Sequence, residues 1–211
     1  MALFPLFVEL AGRPCVVLGG GSVAERKVEA LLEAGAVVTV ISPVLSPALT
    51  ALAAAGRIAH VARRYAHGDL ASAALAFAAT DDAAVNGAVA REARARRVWL
   101  NAADDPAHCD AILPAVLRRG AVTVAVSTGG TSPALARAVR ERLEFALPAA
   151  YAPLAEIAAD ARRDLRAAGR RARAEDWLAA LKEGLDALLR GASPAEAARR
   201  LRARLEDAAC A

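Results

Sequence analysis

The sequence is short of aromatic residues, of lysine and of cysteine, and each shortage excludes something. Aromatics make up 4% of the 211 residues, although hydrophobic residues as a whole reach 56%. Alanine inflates that total, so the core has to come from Leu and Val packed against Ala-rich helices. The three cysteines, Cys15, Cys109 and Cys210, are odd in number and lack C-x-x-C spacing. That argues against a disulfide framework or a structural zinc site. Cys15 sits inside an apolar run and reads as a buried thiol. Lysine occurs only at Lys27 and Lys182, so almost every cation is Arg. Arg suits bidentate binding of carboxylates, but GC-rich codon usage is the better explanation of the bias. No uninterrupted apolar run reaches about 20 residues, so no membrane-spanning helix is expected. The N-terminal stretch has no positive leader region and is broken by Pro5, Glu9 and Arg13, so it does not read as a signal peptide. The expected compartment is the cytoplasm.

Charge of one sign is missing too. The net charge is only +4; residues 151–211 hold 12 basic and 10 acidic residues, and the rest holds 15 and 13. With no concentrated basic stripe, the electrostatic footprint of a nucleic-acid binder is absent. With 24% charged residues beside its apolar content, the chain should fold rather than stay disordered.

What is present is an alternation of short apolar runs and helical periods. Residues 14–18 form an apolar run ending in Gly19-Gly20-Gly21. A helix is expected from Ser22 to Glu33, with Val23, Ala24, Lys27 (by its stem), Ala30, Leu31 and Ala34 on one face, stopped by Gly35. Residues 37–41 are the second strand, stopped by Ser42-Pro43. The pattern continues with a helix at 45–55, a strand at 58–62, a helical turn at 69–74 and a strand at 75–79. A helix at 83–96 and a strand at 98–100 complete it. This implies an α/β fold, a Rossmann-type open parallel sheet with helices on both faces. Beyond it, strands are expected at 111–116 and 122–126 around Arg118-Arg119-Gly120, then a helix to about Leu147. Residues 149–211 read as amphipathic helices broken near Gly169 and Gly191-Ala192-Ser193-Pro194. The organisation expected is a Rossmann domain at 1–111, a small α+β region at 112–148 and a helical domain at 149–211.

Three loops carry chemistry-bearing residues. Gly19-Gly20-Gly21-Ser22-Val23-Ala24 fits G-x-G-x-x-A between a strand and a helix. Gly19 permits the tight turn, Gly21 lets the backbone approach a pyrophosphate, and Ala24 allows close helix–strand packing. The alternative is a bare structural glycine turn. Gly19, Gly21, Ser22, Val23, Ala24, Ser42, Thr80 and Asp81 are the expected cofactor-binding residues. The second strand lacks the usual ribose-binding carboxylate at its end, and Ser42 stands in its place. No Arg follows Ser42 closely to receive a 2′-phosphate, which favours NAD over NADP.

The second loop runs from Asn101 through Asp104, Asp105, Pro106, His108, Cys109 and Asp110, at the carboxyl end of a strand. Asp104 is either a general base or, with Asp105, a turn residue before Pro106. Adjacent residues rarely all point inward, so His108, Cys109 and Asp110 are read as a polar loop and no metal site is expected. The third loop, Ser127-Thr128-Gly129-Gly130-Thr131-Ser132-Pro133, has Ser132 as an N-cap and Pro133 at the first helical position. It is either an anion-binding loop before a helix N-terminus or an ordinary capped helix.

Taken together, several stretches resemble the precorrin-2 dehydrogenase/sirohydrochlorin ferrochelatase family, which forms the N-terminal part of siroheme synthase. They are Phe4-Pro5-Leu6-Phe7, Val17 through Lys27, Tyr65 through Leu70, Ala79 through Asn86, Asn101 through Pro106, Ile112-Leu113-Pro114 and Val126 through Arg137. Their order and spacing match over residues 4–145; the helical tail is similar only in length and character. The resemblance implies NAD-dependent oxidation of precorrin-2 to sirohydrochlorin. Some members also insert ferrous iron to give siroheme. It further implies a homodimer interlocked through the region after the Rossmann domain. The family's key aspartate in N-x-x-D-x-P falls on Asp104. Asn101 and Ser127, Thr128, Gly129, Gly130, Thr131 and Ser132 become substrate-binding candidates, with Thr128 replacing a frequent Ser. Because the chain ends at Ala211, methylation of the precursor is expected to belong to another protein. The alternatives are a dehydrogenase without chelatase activity and a non-catalytic NAD-sensing module.

Overall fold

The structure, a computed structural model, describes residues 3–103 and 105–209. The chain forms two compact units, 1–113 and 114–211.

In the first unit five parallel strands pair in the order β3-β2-β1-β4-β5. They are β1 (Pro14–Leu18), β2 (Val37–Ile41), β3 (Ala59–Val61), β4 (Leu75–Ala78) and β5 (Trp99–Ala102). The connecting helices are α1 (Ser22–Glu33), α2 (Pro47–Ala54) and α3 (Ala83–Arg96). Alternate residues of each strand serve opposite faces, as the pleat requires. Cys15, Val17, Val38, Val40 and Phe77 pack with Ala24, Val28 and Leu31 of α1 and Leu49 of α2. Val16, Leu18, Ala76, Ala78 and Leu100 pack with Val89, Ala90 and Ala93 of α3. Both faces are covered, which is why the strands read as continuous apolar runs.

The α1 face differs from the one expected. Ala24, Val28 and Leu31 are its buried residues, whereas Ala30 and Ala34 are exposed. The true stripe follows i, i+4, i+7, and a run so rich in alanine leaves its phase ambiguous. Lys27 is half-buried, its ammonium 5.5 Å from the centroid of the Phe77 ring. Cys15 is buried as expected, and burial pushes its thiol pKa up.

In the second unit β6 (Ala115–Arg119) and β7 (Val122–Val126) form an antiparallel hairpin. The sequence placed β6 at 111–116, with Arg118 and Arg119 in the turn. The strand instead starts after Pro114, which lacks the N–H that a ladder needs. Arg119 pairs with Val122, leaving a two-residue turn whose Gly120 has φ +57. Hairpin turns of this length want positive φ at the first central position, and glycine supplies it without strain. The helix α4 (Pro133–Ala146) packs on both strands, and α5 (Tyr151–Ala167) touches β7. With α6 (Ala174–Leu189) and α7 (Pro194–Ala209), α5 closes a bundle around Leu154, Ile157, Ala180, Ala187, Leu201 and Leu205. No helix of the described residues is long and apolar enough to cross a membrane.

Candidate dinucleotide site

In the first unit, strand order reverses between β1 and β4, since the chain runs outward to β2 and β3 before returning. Loops diverge at such a point, leaving a crevice at the carboxyl edge of the sheet. A cleft of about 280 Å³ lies there, lined by Leu18, Gly19, Ile41, Ser42, Pro43, Arg64, Tyr65, Thr80, Asp81, Asp82 and Val85.

The three glycines after β1 do different work. Gly19 has φ +118, and a Cβ there would lie 2.2 Å from the Ala79 carbonyl oxygen. A Cβ on Gly20 would lie 2.0 Å from the Val44 oxygen. The protein's own backbone therefore demands both. A Cβ on Gly21 meets nothing within 4 Å among the described residues. The bareness of Gly21 is not required by the fold, which leaves close approach of a ligand as its physical reason. Gly21 is the N-cap of α1, and among the described residues no side chain caps that helix. The first N–H groups of α1 are thus open to an anion. Ser22 is exposed beside them, Val23 is half-buried, and Ala24 is fully buried against the sheet, where its small size lets α1 approach. These residues fit a pyrophosphate-bearing dinucleotide.

The ends of β2 and β4 form the remaining walls. Ser42 is 8% exposed, and its hydroxyl donates to the Val44 carbonyl at 2.7 Å. Its own carbonyl accepts from His60 Nε2 at 2.9 Å. Thr80 Oγ1 donates to Asn86 Oδ1 at 2.8 Å, and Asn86 Nδ2 donates back to the Thr80 carbonyl at 2.9 Å. The Asp82 carboxylate caps α3 by accepting from the Ala84 and Val85 N–H groups. Asp81 is exposed on the same rim. The hydroxyls of Ser42 and Thr80 are thus engaged in shaping the walls.

A buried carboxylate fastens the third wall. Glu92 on α3 is 1% exposed. It accepts from Tyr65 Oη at 2.6 Å, Arg96 Nε at 2.7 Å, the Gly68 N–H at 3.0 Å and the Leu70 N–H at 3.2 Å. Burial alone would raise its pKa, but these donors outweigh burial and hold it below the usual carboxylate value. Arg63 grips Asp69 in a two-pronged pair at 2.8 and 2.6 Å and holds that carboxyl low as well. Residues 63–70 are thereby pinned, with Arg64 and Tyr65 at the cleft. The sequence reading did not single out Arg64, Asn86 or Glu92. Glu92 carried a signal, a charge at the helical spacing of buried Val89 and Ala93.

Asn101 lies on β5 at the same edge of the sheet. It is buried, and its amide nitrogen donates to the Ala111 carbonyl at 2.8 Å. The loop folds back on β5: the Asp110 N–H donates to the Leu100 carbonyl at 2.8 Å, and Cys109 Sγ accepts from the Ala102 N–H at 3.2 Å. His108 Nδ1 meets Asp105 Oδ2 at 2.6 Å. His108, Cys109 and Asp110 thus each serve a different partner. Burial raises the Cys109 thiol pKa. Asp104, the expected general base, lies outside the described residues.

The third loop belongs to the second unit. Thr128 Oγ1 donates to the Ser132 carbonyl and accepts from the Ser132 N–H, both at 3.0 Å. Thr131 Oγ1 donates to the Thr128 carbonyl at 2.7 Å. Ser132 caps α4 by accepting from the Leu135 N–H at 3.1 Å. The hydroxyl at position 128 closes the loop, so threonine keeps what a serine would supply. Ser127, Gly129 and Gly130 remain exposed at its tip.

Residues 6–115 match the model of a protein family described as "Putative NAD(P)-binding". The chain belongs to this NAD(P)-binding family. Its cofactor class is a nicotinamide dinucleotide, in agreement with the glycine turn and the cleft. Residues 119–144 match a second family model, the central part of a sirohaem biosynthesis protein. The siroheme synthase of Methylobacillus flagellatus is 49% identical over 162 residues, covering 77% of this chain and 35% of that protein. The siroheme synthase of Methylococcus capsulatus is 43% identical over 211 residues, covering 99% of this chain and 44% of that one. The chain spans less than half the length of these siroheme synthases. A solved structure titled SirC, precorrin-2 dehydrogenase, shares the fold with a TM-score of 0.75 and 24% identity, covering 97% of this chain and all of that one. The resemblance carried by the sequence motifs therefore stands, and so does the Rossmann-type fold.

Proposed function

We propose that this chain oxidises precorrin-2 to sirohydrochlorin with NAD as the oxidant. The observation that carries this reading is the glycine-lined cleft at the strand reversal, in a chain that matches siroheme synthases along nearly its whole length. NAD, when bound, supplies the hydride acceptor. The protein's part is to hold the dinucleotide and take up a proton. Gly21 and the N-terminus of α1 receive the pyrophosphate, and Ser42, Thr80 and Asp81 bound the adenosine end. Asp104 takes the proton released when the macrocycle loses its hydride, and desolvation beside a large ligand raises its basicity toward that task. Asn101 holds the loop that carries Asp104. The carboxylates of the macrocycle are received by the exposed tip at Ser127, Gly129 and Gly130, with Thr128, Thr131 and Ser132 fixing its shape. In iron insertion, proposed as a second activity, the same Asp104 carboxylate accepts pyrrole protons and ferrous iron is a substrate. The working form is a homodimer.

The decisive experiment adds precorrin-2 and NAD to the purified chain and follows NADH. Stoichiometric NADH with sirohydrochlorin formed is the expected result. NAD binding without turnover would make the chain an NAD-sensing module instead. Adding ferrous iron to the sirohydrochlorin product then separates a bifunctional enzyme from a dehydrogenase alone.

A further inference from the structure

The sequence favours NAD because no arginine follows Ser42 closely along the chain. The fold supplies one from elsewhere. Strand β3 lies beside β2, with Ile41 opposite Val61, and the segment leaving β3 returns to the cleft wall carrying Arg64. In Rossmann folds the end of β2 lies by the adenine ribose, and a carboxylate there binds the ribose hydroxyls and repels a 2′-phosphate. Here that position is Ser42, followed by Pro43, so no carboxylate opposes a phosphate from β2. The Ser42 hydroxyl donates to Val44, so it offers that phosphate no donor either.

Arg64 is held in a way that suits a ligand. On one side Arg63 is clamped to Asp69, and on the other Tyr65 is clamped to Glu92. The backbone is thus fixed on both sides of Arg64, while its side chain is 79% exposed. Its one ion-pair partner among the described residues is Asp82, at a loose 3.8 Å. The other acidic group on the rim is Asp81. Asp82 caps α3 through Oδ1 and meets Arg64 only through Oδ2 at that loose distance, so the guanidinium fork keeps donors to give. A planar fork with fixed footing is the geometry that binds phosphate bidentately.

We propose that Arg64 receives the 2′-phosphate of NADP, and that this chain binds NADP about as well as NAD. The proposal rests on the dinucleotide reading of the cleft. Its test is calorimetric titration of NAD and NADP against the wild-type protein, Arg64→Ala and Arg64→Lys, with thermal melts to confirm folding. In the wild type the two dissociation constants should lie within about fivefold of each other. Arg64→Ala should raise the NADP/NAD ratio by about tenfold or more, and Arg64→Lys, which keeps the charge without the fork, should fall between. If NAD binds but NADP is more than about a hundredfold weaker in the wild type, the proposal fails while the NAD reading survives. It fails equally if Arg64→Ala weakens both dinucleotides in proportion, since Arg64 then touches a group they share. Binding of neither dinucleotide to the wild type would overturn the dinucleotide reading itself.

Discussion

The glycine turn separates two demands that a motif merges. Gly19 and Gly20 are bare because their Cβ atoms would strike the Ala79 and Val44 carbonyls, whereas Gly21 faces open space. Gly19→Ala and Gly20→Ala should each cost about 1–3 kcal/mol, through backbone strain or overpacking, and lower the melting temperature. Gly21→Val should melt within a few degrees of wild type, yet lose NAD affinity by about tenfold or more, or about 1.4 kcal/mol. Unchanged affinity in folded Gly21→Val would remove the turn from the cofactor site. The two aspartates after β5 divide in a similar way. Asp105 is engaged by His108, a brace within the loop. Asp104→Ala should bind NAD normally and lower NADH formation or iron insertion by about a hundredfold, the scale of a lost acid–base group. Asp105→Ala should do much less. Wild-type rates in both assays for Asp104→Ala would reduce Asp104 to a turn residue.

At the scale of elements, the joint between α3 and the segment after β3 depends on one carboxylate. Glu92 is buried on α3 beside Val89, Ala90 and Ala93 and holds Tyr65, Gly68 and Leu70 through its hydrogen bonds. Glu92→Gln keeps the shape but loses the charge, and turns one acceptor into a donor among donors. It should cost about 2–3 kcal/mol, seen as a lower midpoint in urea. Folding lowers the Glu92 pKa, so its contribution is present above the unfolded value near 4.5 and is lost as pH falls through the folded value. Urea titrations between neutral and acid pH should therefore show wild type losing stability below that point, with Glu92→Gln losing less. Parallel pH curves would mean that Glu92 is not a source of the acid sensitivity.

At the scale of the whole molecule, helix α4 of the second unit exposes large apolar side chains. Its sheet is a single hairpin, an arrangement of marginal stability by itself. On α4, Leu135 is 54%, Val139 37% and Phe145 91% exposed. A second copy of the chain covering this region would bury well over about 2,000 Å², as intertwined dimers do. Sedimentation should show a dimer at micromolar concentration, and Phe145→Asp should shift it toward monomer. A wild-type monomer under those conditions would refute the dimer.

The sequence by itself determined the parallel sheet, its glycine turn and the Ser132 cap of α4. Those features are local: an apolar run of strand length, a small residue at a fixed offset, a Ser before a Pro that opens a helix. It also contains the motifs on which the proposed roles of Asp104 and of the loop at 127–132 rest. It misphased α1, where alanine blurs the stripe, and displaced β6, where Pro114 delays the ladder. Only the tertiary structure decided which of the three glycines the backbone needs, because the clashing carbonyls of Val44 and Ala79 are 24 and 60 residues away from Gly20 and Gly19. It alone brought Arg64 to the cleft beside Ser42, through the pairing of β2 with β3. And it alone explained Glu92, whose donors at Tyr65, Gly68 and Leu70 lie more than twenty residues earlier in the chain. A buried charge is tolerated only where distant donors converge on it, and no local pattern records that convergence.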